Sequence, residues 1–126
     1  MSNRNLLTTI KNIPMRFIKA TKYSIQGIIH AFKKEEAFQL EIISFFILII
    51  ALCFIECPVW KKIAVIGVYL LIPLAELVNS AIEDICNLVS PTYDPLIKSA
   101  KDKGSAAVLF AIIINILALI SIYFVP

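Results

Sequence analysis

Five side chains on one stretch of sequence could carry out acid–base and metal chemistry together: Glu76, Asn79, Ser80, Glu83 and Asn87. At about 100° per residue on a helix, the last four fall within about 60° of Glu76, so one helix would present a single polar stripe. The stripe begins inside an apolar run, with Glu76 roughly 20 Å from the outer end of its helix and so within the inner leaflet of a bilayer. A carboxylate at that depth is costly and usually functional. The structural alternative is helix–helix glue, with Glu76 neutral and hydrogen-bonded to a neighbouring span.

Two further clusters can approach the stripe: Glu35, Glu36 and Glu41 before one apolar run, and Lys98, Lys101, Asp102 and Lys103 before another. Carboxylates suit Mg²⁺, a hard cation that prefers oxygen, and lysines suit phosphate. Acids and bases at lipid depth suggest phosphoryl chemistry on a membrane-borne substrate. Familiar nucleotide devices are missing. With Gly27, Gly67 and Gly104 as the only glycines there is no glycine-rich phosphate loop. His30, the single histidine, excludes an HExxH site and sits where an interfacial residue would.

The elements that must hold these groups follow from hydropathy. The chain of 126 residues is 60% hydrophobic and 17% charged, with a mean hydropathy of +0.87. Soluble chains run roughly 45–50% apolar and about 25% charged. Three apolar runs, near Ile42–Ile55, Ile63–Ile82 and Ala106–Pro126, are candidates for spanning helices. Cys53 and Cys57, four apart, lack further ligands nearby and read as small apolar residues rather than a metal or disulfide pair.

Before the first run, Phe17, Ile18, Ile25, Ile28, Ile29 and Phe32 recur with Leu6, Leu7, Ile10 and Ile13 at spacings near three and four, with lysines largely between them. That is an amphipathic helix lying at a membrane surface, with Pro14 expected to interrupt it or to start its main section. Seven of the twelve Lys and Arg lie in the first 34 residues. Nucleic-acid binding is the rival reading of that basic segment, and no recognition motif supports it. No signal peptide is expected, because charges recur throughout the segment. Basic residues also gather in the second loop, so the positive-inside rule puts the amino terminus and that loop in the cytoplasm and the carboxyl terminus outside.

The expected fold is therefore an all-α membrane protein of one domain over 1–126. It has an amphipathic surface segment over 1–34 and spans at about 37–56, 63–82 and 105–125.

The stretch Glu76-Leu77-Val78-Asn79-Ser80-Ala81-Ile82-Glu83 resembles the signature of the small prokaryotic diacylglycerol kinases. Glu35-Glu36-Ala37-Phe38 with Glu41, the run Ala100–Val108, and Arg16, Lys19, Tyr23, Ser24 and Gly27 also fit that family. The resemblance implies transfer of the ATP γ-phosphate to diacylglycerol in a bacterial inner membrane, by a homotrimeric bundle with shared active sites. It implies Glu76 as general base, Asn79 as the residue that orients the site, and Glu35 and Glu83 as Mg²⁺ ligands. The family spacing Glu-x-Ala-Phe selects Glu35 over Glu36. Arg16, Tyr23, Thr92, Tyr93, Asp94, Lys101 and Asp102 would surround the nucleotide. Arg16, Ala37, Phe38, Glu41, Glu76 and Ser105 would meet the lipid. Where many members carry an aspartate four residues after the second signature glutamate, this chain has Asn87. Undecaprenol kinase and a non-catalytic membrane assembly subunit are the alternatives.

Overall fold

The computed structural model describes residues 3–90 and 92–124, with side chains at 13–90, 92–121 and 124. The side chains of Arg4, Leu6, Leu7, Ile10 and Lys11, and residues Pro91 and Pro126, lie outside that set. Five helices follow one another: α1 Asn3–Lys34, α2 Glu36–Phe54, α3 Val59–Tyr69, α4 Leu71–Val89 and α5 Pro95–Phe124. No strand occurs among the described residues.

The chain forms two compact units, Met1–Lys34 and Glu35–Pro126. In the first, α1 runs unbroken through Pro14, where the sequence pattern leads one to expect an interruption. A proline inside a helix removes one backbone hydrogen bond, and the remaining turns carry α1 past it. Its apolar residues Phe17, Ile18 and Tyr23 stand exposed.

The second unit holds three stretches long and apolar enough to cross a membrane: Glu36–Phe54, Val59–Val89 and Pro95–Ser121. Local sequence sets their ends. Ile55, the cap residue that closes α2, is extended, and Pro58 stands at the N-cap of α3, where its carbonyl accepts from Lys61 N at 3.0 Å. Ser90 closes α4 in an extended conformation, as expected of a residue that precedes proline in the sequence. Asp94 then starts α5: its Oδ1 accepts from Leu96 N at 2.7 Å and Ile97 N at 3.3 Å. Pro95 occupies the first helical position, where its missing N–H costs nothing. Replacing Asp94 by Ala is expected to lower stability by about 1 kcal/mol through loss of this cap. Asp94→Asn keeps the cap, so thermal unfolding in detergent should separate the first variant, but not the second, from the parent.

The second spanning stretch is longer than the apolar run in the sequence, because its helix continues to Val89 through polar residues. It also breaks. Pro73 has no N–H to offer the Tyr69 carbonyl, and α3 gives way to α4 at Leu70. α4 packs along α5, α3 packs on α5, and α2 packs on α3 and α4. The interior is thin: Phe38, Leu52, Val65, Ile72, Cys86 and Ala111 are buried, while Ile47 is 61% and Phe110 64% exposed in mid-helix. Water would not tolerate that apolar surface on a monomer; hydrocarbon does.

Candidate active site at one end of the bundle

Glu35 occupies the N-cap of α2 with an extended backbone (φ −118°, ψ 112°) and makes no side-chain cap bond. Its carboxylate turns instead to α4, where Ser80 Oγ donates to Glu35 Oε2. At the adjacent position Asn79 is buried and donates from Nδ2 to Glu83 Oε1 at 3.3 Å, one turn along the same helix. Neighbouring residues of one helix thus orient two carboxylates from different parts of the chain. Glu76, half-buried one turn deeper on α4, is within electrostatic range of both Glu35 and Glu83, and Glu41 is within range of Glu35 and Glu76.

Two acceptor atoms here are buried without a hydrogen-bond partner, Glu41 Oε2 and Asn79 Oδ1. A buried acceptor left unsatisfied costs about 1–3 kcal/mol, so this end of the bundle has acceptors to offer a donor or a cation. The donor set is all oxygen, which fits Mg²⁺. Among the described residues no three carboxylates, histidines or cysteines converge into a complete cage. Magnesium needs none, since it commonly takes one or two carboxylates and completes its shell with water and phosphate oxygens.

The depth of Asn79 depends on Gly104 of α5. A Cβ built on Gly104 would collide with Asn79 Oδ1 and lie 3.3 Å from Asn79 Cγ and 3.6 Å from its Cα. Gly104→Ala gains about 1 kcal/mol in helix propensity but incurs about 1–3 kcal/mol of overpacking. We expect a net loss of melting temperature in detergent, together with reduced activity, because Asn79 must withdraw from Glu83.

Beyond Glu83, α4, α5 and the intervening loop enclose a polar cleft of about 410 Å³, lined in part by Asn87, Thr92, Tyr93, Asp94, Lys101 and Asp102. Five residues expected at a nucleotide therefore meet here. Lys101 Nζ donates to Asn87 Oδ1 at 2.7 Å, so the carboxamide at 87 orients this lysine without neutralising it. Lys98 pairs with Asp102 at 2.6 Å in the open and also lines the cleft. Ser105 Oγ donates to the Lys101 carbonyl at 3.2 Å. Phe38 is only 2% exposed and packs in the interior, with Ala37 exposed beside it. Arg16 and Tyr23 lie exposed on α1, in the other unit.

An apolar groove of about 580 Å³ between α4 and α5, walled by Leu74, Val78, Ala107 and Phe110, also takes in Asn79 and Lys103.

Helices that expose their apolar flanks and gather carboxylates at one end define a multi-pass membrane protein with an internal polar site. Residues 22–123 match the family described as prokaryotic diacylglycerol kinase. Similar proteins named diacylglycerol kinase occur in Escherichia coli K12, with 34% identity over 81% of this chain and 84% of that one. The likeness extends to Pseudomonas aeruginosa, at 38% over 77% and 79%, and to Haemophilus influenzae, at 39% over 77% and 82%. The chain belongs to the prokaryotic diacylglycerol kinase family and is an integral-membrane lipid kinase.

Proposed function

We propose that the protein transfers the γ-phosphate of ATP to the primary hydroxyl of diacylglycerol, giving phosphatidic acid at the cytoplasmic face of a bacterial inner membrane. The observation that carries this reading is the convergence of Glu35 and Glu83 on the adjacent pair Ser80 and Asn79, with Glu76 one turn deeper. Phosphoryl transfer needs positioning and charge neutralisation more than covalent help. Glu76, half-buried on α4, is the base that takes the lipid hydroxyl proton. Asn79 orients Glu83. Glu35 and Glu83 hold Mg²⁺, which when bound neutralises charge on the phosphates.

The nucleotide occupies the cleft at Thr92, Tyr93, Asp94, Lys101 and Asp102, and the family resemblance adds Arg16 and Tyr23 of α1 to the residues that bind it. The lysines there match phosphate charge. The lipid lies against Ala37, Glu41 and Ser105, while Phe38, buried in the interior, supports that surface from behind rather than touching the lipid. Arg16 of α1 is the further lipid-binding residue that the family resemblance implies. Glu41, whose buried Oε2 lacks a donor, has an acceptor available for a hydroxyl. The exposed apolar flanks and the α4–α5 groove support a substrate that never leaves the bilayer. The distribution of Lys and Arg supports a cytoplasmic amino terminus and an outward carboxyl terminus. Three copies complete the bundle, each lending part of a neighbouring site.

The test is labelled ATP with purified protein in mixed micelles carrying either diacylglycerol or undecaprenol, with and without Mg²⁺. Diacylglycerol should be phosphorylated faster and only with the metal. Faster turnover of undecaprenol would reassign the substrate. A protein that phosphorylates neither lipid would be the non-catalytic subunit.

A further inference from the structure

The break at Leu70 is tied from two sides by residues with no part in the chemistry above. Asn115, about two thirds of the way along α5 and 5% exposed, donates from Nδ2 to the Val68 carbonyl at 3.0 Å and to Ala111 O at 2.9 Å. Tyr69 OH donates to the Glu41 carbonyl of α2 at 2.9 Å. The same carbonyl accepts from Ser44 Oγ at 3.0 Å, and the two hydroxyls contact each other. The Tyr69 ring also lies 5.5 Å from that of Phe45. In hydrocarbon, with no water to compete, such side-chain bonds to the backbone hold the turn that leads into the break.

We propose that Asn115 and Tyr69 are positioning residues that lock the α3–α4 break at one angle and so fix the depth and rotation of Glu76. This rests on the reading of Glu76 as base. Three features support a lock rather than a loose hinge. The ties come from two different helices. They join consecutive residues, Val68 and Tyr69, directly before Leu70. The carbonyl that Tyr69 holds belongs to Glu41, whose carboxylate shares the site with Glu76. One collar of polar bonds therefore sets two acids on two helices.

The test uses the full chain in detergent micelles with Asn115→Leu, Asn115→Gln and Tyr69→Phe. Misplacement of a reacting group by about 1 Å can cost 10²-fold in rate. We expect kcat to fall about ten- to a hundredfold in Asn115→Leu and Tyr69→Phe, with KM for MgATP unchanged because the phosphate cleft is untouched. Asn115→Gln, which keeps the donor, should recover part of the loss. Amide hydrogen exchange over residues 70–76 should accelerate in the first two variants, independently of what Glu76 does in catalysis. If Glu76→Gln proves active while exchange still accelerates, the collar stands and the assignment of the base fails. Unchanged kcat and unchanged exchange in both variants would overturn the collar. So would a loss of kcat matched by an equal rise in KM and not relieved by Asn115→Gln, since that pattern is ordinary packing damage.

Discussion

Glu76→Gln is expected to lower kcat by about 10²–10⁴-fold, the range of a positioned general base, with the detergent-solubilised protein still folded and of unchanged size. The substitution is nearly isosteric and keeps a hydrogen-bonding side chain on α4, so the loss comes from the proton acceptor and not from packing. Size-exclusion profile and melting temperature should match the parent within a few degrees while lipid phosphorylation falls to background. The comparison with Glu56→Gln is informative, because Glu56 lies exposed in the link between α2 and α3. That variant should turn over at the parental rate. Substantial turnover by Glu76→Gln would remove Glu76 from the role of base.

Glu83→Gln should behave differently. Its amide oxygen can still accept from Asn79, so the local geometry seen at 3.3 Å survives, but one of the two anionic ligands proposed for the metal is gone. We expect the Mg²⁺ concentration for half-maximal rate to rise at least tenfold, and kcat at saturating Mg²⁺ to fall on the order of a hundredfold, since loss of a charge-stabilising group in a transition state costs about that much. Titrating the metal at fixed saturating ATP separates the two effects. An unchanged metal requirement would remove Glu83 from the ligand set. Chelation with EDTA should silence parent and variant alike, and the parent alone should recover fully at low millimolar Mg²⁺.

The polar stripe and the three apolar runs were legible because each depends on one helix at a time. Hydropathy over about twenty residues identifies a span, and about 100° per residue aligns Glu76 with Asn79, Ser80, Glu83 and Asn87. Which groups from other helices meet that stripe was not legible in periodicity, and Glu35 was named beside Glu83 only by the family resemblance. The partnership of Glu35 with Ser80 joins positions 45 apart in the sequence, and no periodicity encodes it. The break at Leu70 was half legible: Pro73 signals a disturbance, but its effect falls on the preceding turn. Asn115 sits in an apolar run with no charge to draw attention to it, although a lone carboxamide in hydrocarbon carries a desolvation penalty that points to a partner. Tyr69 gave no signal at all, because tyrosine is common in spans and its value lies in reaching the backbone of α2. The continuity of α1 through Pro14 shows the opposite limit, where a local rule overstates the damage one residue does to a long helix.

The nineteen residues of α2 amount to about 28 Å of helix, barely the width of a typical hydrocarbon core of about 30 Å. Such a segment has no slack to tilt. Glu35 stands at its very start, so a thicker membrane would strain the position of that carboxylate relative to α4, which belongs with α3 to a stretch of 31 residues that has length to lean. A bilayer wider than α2 would therefore bear first on the meeting of Glu35 with Ser80, and turnover is expected to vary with the acyl length of the host lipids.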